Sequence, residues 1–211
     1  LSELRKVRKL IVGGAYVSAA LQKALINAKV NAFETYGMME TLSHIAVRSM
    51  KDPISEFRCL PDIQVRHDER KCLIIDAPKL NIVNLITNDE VEVFNTKHFR
   101  LIGRIDYMIE IGGLKLNPEQ IERKLSENLS IHFFIDSYSD STPDKKLALV
   151  VKYDPKIKLE KIFEQIKNCI SLEDYEIPKL IVCFENFIQT YSGKIKRKST
   201  MKQKPYRILN L

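Results

Sequence analysis

The sequence predicts a mixed fold, α/β at the amino end and α+β at the carboxyl end. Three features carry that expectation: a strand, glycine turn, helix and strand at the start; a middle of short alternating runs broken by turn residues; and a β-β-α-β-β-α-β order over about the last 105 residues.

The opening "KLIVGGAYVS" has the apolar β-branched character of a buried strand ending at Gly13-Gly14, and Ser18 is placed to cap the helix "AALQKALINAK". "VNAFETYG" is a second strand, and Gly37 opens a turn into "MMETLSHIAVRSM". This grammar belongs to a parallel sheet, whose ligands bind at the carboxyl ends of the strands, where Gly13-Gly14 and Tyr36-Gly37 fall. After Lys51-Asp52-Pro53 the helical period disappears, and "IQVRH", "KCLIID" and "VEVF" predict a β-subdomain. "YMIEIGGLKL" is a hairpin turning at Gly112-Gly113. In "NPEQIERKLSEN" an Asn cap, a first-turn proline and early acids start a helix. "IHFFIDSYS" and "KLALVVKYD" are strands, "LEKIFEQIKNCI" is an amphipathic helix and "KLIVCFENFI" is a strand. The expected division is 1–52 (α/β), 53–103 (β-subdomain), 104–106 (connecting hinge) and 107–211 (small α+β domain).

With 211 residues, 45% of them hydrophobic, the chain can bury a real core. No run reaches the roughly 18 apolar residues of a membrane helix, and no secretory signal opens it. Cys59, Cys72, Cys169 and Cys183 form no CxxC pair, so buried free thiols in a reducing cytoplasm are expected. His44, His67, His98 and His132 have no metal-ligand spacing. The net charge of +7 points to anionic partners, yet seven basic residues follow Ser192: Lys194, Lys196, Arg197, Lys198, Lys202, Lys204 and Arg207. The rest is nearly balanced, and the aromatics that a nucleic-acid module interleaves are sparse there.

Six short motifs occur in one order: "VGGA", "TYGMMET", "LITND", "GRIDYMIEIGGLKLNPEQIE", "YEIPK" and "TYSGKIKR". Singly most are weak. Together they resemble the acyl-adenylate-forming superfamily of acyl-CoA synthetases and peptide-synthetase adenylation domains, from about Leu10 to Arg197. Within it the chain is most similar to the o-succinylbenzoate–CoA ligases that serve menaquinone synthesis. The resemblance implies an ATP-, Mg²⁺- and CoA-using acid–CoA ligase, here as the end of the large domain and the whole mobile small domain. The family's phosphate loop has no counterpart in the chain, so a piece of a longer enzyme, inactive alone, is expected.

The resemblance also assigns roles. Lys194 matches the catalytic lysine, whose cation offsets repulsion between carboxylate and α-phosphate; read alone, it is a solvated lysine in a basic tail. Asp89 matches the aspartate that grips the ribose diol, with Asn88 in place of the family's glycine. Arg104 matches a second nucleotide contact, or else an interface salt bridge. Glu40 matches the Mg²⁺-associated glutamate. The family's phosphate-contacting threonine is Met39 here, which has no donor, so Thr41 or a backbone N–H must substitute or activity falls. Gly13, Gly14, Ala15, Tyr36 and Gly37 would shape the nucleotide side, and Ser43 and His44 the acyl side. Asp106 would be the hinge, and Gly112, Gly113 and Lys115 the CoA channel. The family proline four residues before Ser192 is Ile188. Three rivals stand beside this reading: a carrier-protein-charging domain, a basic nucleic-acid-binding module and a degenerate homologue of low activity.

Overall fold

The computed structural model describes residues 3–14, 17–52, 56–139, 144–191 and 193–211. The chain divides into two compact units, Leu1–Asp106 and Tyr107–Leu211.

In the first unit, strand β1 (Leu10–Val12) leads to helix α1 (Ala19–Asn27) and strand β2 (Ala32–Gly37). Ser18 starts the helix, its hydroxyl accepting from the Leu21 N–H at 3.2 Å. β1 and β2 pair in parallel, Leu10 with Ala32, so Gly13-Gly14 and Tyr36-Gly37 leave the sheet at the same edge. A one-turn 3₁₀ helix, Met39–Thr41, reverses the chain into β3 (His44–Ser49), which is antiparallel to β2. β4 (Phe57–Cys59), β5 (Gln64–His67), β6 (Cys72–Ala77), β7 (Ile82–Asn95) and β8 (His98–Arg104) follow. All eight strands form one sheet, in the order β1-β2-β3-β4-β8-β7-β6-β5. The texture change after Lys51-Asp52-Pro53 is therefore not a break in hydrogen bonding, because β3 pairs onward with β4, Ala46 opposite Cys59. What changes is the core. Leu25 of α1 and Ala28, which caps its end, pack with Val17, Val30, Ala32 and Met50, while a separate apolar cluster of Ile45, Phe57, Leu73, Ile75 and Phe99 fills the β-rich part.

The second unit opens with the hairpin β9 (Ile109–Ile111) and β10 (Leu114–Leu116). Its two-residue loop is Gly112-Gly113, at φ +57° and +81°; left-handed backbone at both positions is the demand that glycine meets without steric cost. Helix α2 (Pro118–Ser126) is capped by Asn117, whose side-chain oxygen accepts from the N–H groups of Glu119 and Gln120. Strands β11 (Phe133–Tyr138) and β12 (Lys146–Lys152), helix α3 (Leu159–Lys167) and strand β13 (Leu180–Phe184) follow. β12 and β13 are parallel and α3 makes the crossover. Every residue from Leu147 to Val151 is buried, as a strand covered on both faces requires. Leu147, Leu149 and Val151 join Ile121, Leu125, Ile162 and Ile166 of the helices, while Ala148 and Val150 face Phe134, Val182 and Phe184.

The segment after Ser192 is not a solvated tail. It forms helix α4 (Arg197–Met201) and strand β14 (Arg207–Asn210), which closes the sheet order β11-β12-β13-β14 against β13. Neither element was expected from the sequence. The four cysteines are free and buried. Burial pushes the Cys59 thiol up to about 11, which leaves almost no nucleophilic thiolate at neutral pH. No helix among the described residues is long and apolar enough to cross a membrane.

Leu149 is fully buried at the centre of the second unit. Leu149→Ala should cost about 2–5 kcal/mol, read as a lower denaturation midpoint for this chain.

Candidate functional site

The end of β2 and one cross-strand pair build a connected polar cluster in the first unit. Asp89 on β7 lies directly opposite Arg104 on β8. Its Oδ1 accepts from the Arg104 Nη1 at 3.0 Å, and its Oδ2 accepts from the Tyr36 hydroxyl at 2.5 Å. Arg104 in turn donates from Nε and Nη2 to both carboxylate oxygens of Asp106, each at 2.9 Å. Tyr36, Asp89, Arg104 and Asp106, four positions singled out from the sequence, thus form one hydrogen-bonded chain.

Reaching it takes a strongly curled sheet. β2 and β7 are four places apart in the sheet order, about 19 Å if the strands lay flat at about 4.8 Å each. A tyrosine and an aspartate cannot bridge that gap. The curl is visible in the rings: Tyr36 packs edge-on to Phe99 of β8 at 5.3 Å and tilted against Phe57 of β4 at 6.0 Å. Burial, and then the Asp89 carboxylate beside it, push the Tyr36 hydroxyl far above its ordinary range, so it stays a neutral donor. The Asp89 backbone N–H donates to Thr87 Oγ1 at 3.1 Å, a contact with no signal in the sequence. Each carboxylate oxygen has two acceptor sites. The pair of oxygens is therefore oriented by Tyr36 and Arg104 and keeps capacity for two further donors, the demand a vicinal diol makes.

The turn between β2 and β3 carries the next group of predicted residues. Gly37 has no room for a side chain: a Cβ there would lie 2.5 Å from the Ser43 carbonyl oxygen and 2.6 Å from the His44 Cα. Glu40 is exposed on the 3₁₀ turn. Met39 and Leu42 flank it, 91% and 84% exposed. Leu42 holds φ +61° and ψ −32°, a sparsely populated conformation that costs about 1–3 kcal/mol. Thr41, a possible substitute for the missing threonine at 39, points inward. It is 1% exposed, its Oγ1 accepts from the Met38 N–H at 3.0 Å, and it donates toward the Ser43 carbonyl at 2.8 Å. In this conformation the Thr41 hydroxyl is engaged by Met38 and Ser43 and does not replace a hydroxyl at position 39. Ser43 Oγ and His44 Nδ1 are 3.2 Å apart and partly exposed. Gly13 abuts the Thr35 hydroxyl so closely that a Cβ would overlap it, and Gly14 sits at φ +89°. Ala15 lies outside the described residues.

The remaining predicted residues belong to the second unit, on two separate hairpins. Gly112-Gly113 forms the β9–β10 turn, and Lys115 on β10 is exposed opposite Glu110. Lys194 is exposed on a tight turn closed by three hydrogen bonds: Gly193 N–H to Thr190 O (2.9 Å), Thr190 N–H to Lys194 O (2.8 Å) and Lys194 N–H to Thr190 Oγ1 (3.0 Å). Gly193 holds φ +83°, a conformation that glycine takes without steric cost. Among the described residues no three His, Cys, Asp or Glu side chains cluster as a metal cage. A cavity of about 520 Å³ lies along Phe33, Val47, Arg48, Asp52, Arg58 and His98 of the first unit. It includes none of the predicted residues.

No family model matches the chain. In sequence it is 24% identical over 212 residues to the 2-succinylbenzoate–CoA ligase of Listeria monocytogenes, covering 90% of this chain and 45% of that protein. It is 28% identical over 114 residues to bacitracin synthase 1 of Bacillus licheniformis, covering 54% of this chain and 2% of that protein. In structure it is similar to the o-succinylbenzoate CoA synthetase of Bacillus subtilis in complex with its acyl-adenylate intermediate, at TM-score 0.76 and 16% identity, covering 94% of this chain and 47% of that one. The anthranilate CoA ligase AuaEII in complex with anthranoyl-AMP gives TM-score 0.71 and 16% identity over 91% of this chain and 43% of that one. The chain thus spans less than half the length of each of these relatives.

The Tyr36–Asp89 bond has a measurable signature. An unfolded tyrosine loses its proton near pH 10, while the folded Tyr36 retains it to higher pH. Above pH 10 the unfolded state then binds fewer protons than the folded one, so stability falls as pH rises. Tyr36→Phe should cost about 1–3 kcal/mol at neutral pH. The gap between the two proteins should narrow above pH 10, in denaturation midpoints measured from pH 7 to 11.

Proposed function

We propose, from the premise that this chain has the fold of the carboxyl-terminal part of the AMP-forming acyl-CoA synthetases, that it supplies the nucleotide grip and the mobile lysine of an acid–CoA ligase. The observation that carries the reading is the buried Asp89 carboxylate, oriented by Tyr36 on one oxygen and Arg104 on the other; its remaining lone pairs would accept from the two hydroxyls of a diol.

In the first half-reaction a carboxylate oxygen attacks the α-phosphorus of ATP, the bond to pyrophosphate breaks, and an acyl-adenylate forms. Both reactants are anions, and a lysine ammonium between them offsets their repulsion. Lys194 fits that task because its turn holds the backbone while the side chain stays exposed. Asp89 would bind the ribose hydroxyls; Gly13 and Gly37 let the backbone pass tightly against Thr35 and Ser43-His44, and Gly14 alone is open, with nothing within 4 Å of a Cβ placed there. Glu40 would hold Mg²⁺ together with the nucleotide phosphates; one exposed carboxylate suits an ion that keeps its waters and takes one or two protein ligands. The ion, when bound, screens phosphate charge. In the second half-reaction a CoA thiolate attacks the acyl carbon and the bond to AMP breaks, releasing the thioester. Gly112, Gly113 and Lys115 would line the thiol's path, with Asp106, the last residue of the first unit, absorbing the rotation between steps.

The acid is proposed to be o-succinylbenzoate, on the likeness to the Listeria ligase over 90% of this chain and to the Bacillus subtilis synthetase in fold. The match to bacitracin synthase 1 over 54% of the chain supports a second acceptor, a carrier-bound thiol in place of free CoA.

Two measurements test the core of this reading. The chain should bind an acyl-adenylate analogue saturably in calorimetry, and Asp89→Asn should weaken it about 10- to 100-fold, the equivalent of 1.5–3 kcal/mol of charged hydrogen bonding. In the full-length protein, Lys194→Ala should lower ATP–pyrophosphate exchange about 10²–10³-fold while analogue affinity is kept. Binding that Asp89→Asn leaves untouched would sink the nucleotide assignment. Thioester formation that requires a carrier domain and ignores CoA would favour the second acceptor.

A further inference from the structure

One cation of the carboxyl-terminal basic segment is turned inward. Lys194, Lys196 and Lys198 are exposed, whereas the Arg197 side chain is 18% exposed. Its Nη1 and Nη2 donate to Oε1 and Oε2 of Glu122 on α2, at 2.7 and 2.8 Å. Glu122 Oε1 also accepts from the Ile135 N–H of β11 at 2.8 Å. The guanidinium lies 5.1 Å from the Tyr107 ring centroid and 5.6 Å from that of Phe134. Burial pushes the Glu122 carboxyl up to about 7, and Arg197 is the main force pulling it back.

This pair bolts one end of the Lys194 hairpin to the core. The turn's stem is formed by the Gln189–Ile195 bridge and the Lys196 N–H to Ile188 O bond at 2.8 Å. Thr200, fully buried on α4, accepts from the Ile188 N–H at 3.0 Å. Arg197 stands three residues beyond Lys194, at the first position of α4. Through Glu122 it ties this stem to α2 and β11, the interior elements of the second unit. A buried ion pair is a weak source of net stability but a strong geometric constraint, since its two parallel hydrogen bonds accept only one orientation.

We propose that Arg197, oriented by Glu122, is a positioning residue that fixes where the Lys194 hairpin projects and so serves the lysine-dependent step. The inference rests on the function proposed above. Arg197→Lys keeps the charge but loses the fork. Misplacement of about 1 Å at a reacting group can cost 10²-fold in rate, and a loss of that order is expected in ATP–pyrophosphate exchange of the full-length protein. KM values for ATP and acid should stay within a few-fold, and thioester formation from supplied acyl-adenylate should be unchanged.

The deciding comparison is a double-mutant cycle on Lys194→Ala. Because Arg197 acts only through Lys194, Lys194→Ala with Arg197→Lys should exchange pyrophosphate no more slowly than Lys194→Ala alone. In this chain, amide hydrogen exchange should speed up at Gly193 and Lys194 in Arg197→Lys, with Leu149 and Val150 of β12 unaffected. Additive losses in the cycle, or exchange that rises throughout the second unit, would overturn the positioning role in favour of plain structural support. Should Lys194→Ala itself leave pyrophosphate exchange intact, the proposed function fails first. An inactive Lys194→Ala beside a fully active Arg197→Lys would refute the positioning role alone.

Discussion

A carboxylate that is 6% exposed cannot be left without partners, because burying an unpaired charge costs far more than any single contact returns. Asp89 meets that demand with two groups far apart in sequence: Arg104, its cross-strand neighbour, and Tyr36, from the other side of the sheet. The hydroxyl can arrive only if the five strands from β2 to β7 curl until the first faces the last. The aromatic packing of Tyr36 on Phe57 and Phe99 and the apolar cluster around Ile45, Leu73 and Ile75 supply the apolar burial that holds the curl. Sheet closure and carboxylate orientation are thus one constraint seen from two sides.

The second unit solves a similar problem with another ion pair. Glu122 and Arg197 are 75 residues apart, and their bidentate contact converts the basic carboxyl-terminal segment from a run of charges into a fixed part of the domain. Strand β14 completes the arrangement by pairing with β13. The exposed Lys194, Lys196 and Lys198 of that segment are then displayed on a folded scaffold.

The turn after β2 remains the weakest element of the proposed chemistry. Met39 has no donor to offer an anion, and Thr41 has its hydroxyl committed to Met38 and Ser43. Two exposed apolar side chains, Met39 and Leu42, flank Glu40, and Leu42 holds a positive φ. Strain of this kind is tolerated where neighbouring structure enforces it, and here Gly37, with no space for a Cβ, packs directly under Ser43 and His44.

Local chemistry made much of this legible in the sequence. Ser18 and Asn117 announced their helices because a cap acts within three residues, and Gly112-Gly113 announced a hairpin because its turn needs two left-handed positions. The short strands showed through alternation, and "GRIDYMIEIGGLKLNPEQIE" marked a family resemblance through residues close in the chain. Other features depended on distance and were silent. Nothing local says that Tyr36 will meet Asp89, that Thr41 will turn inward, or that Arg197 will leave a basic run to pair with Glu122. α4 and β14 were hidden because five residues of helix and four of strand carry too little period to read. The sequence by itself determined the elements and the residue types available for chemistry. Tertiary structure decided which of them meet, because burial sets the cost of an unpaired charge and only the folded chain says what is buried.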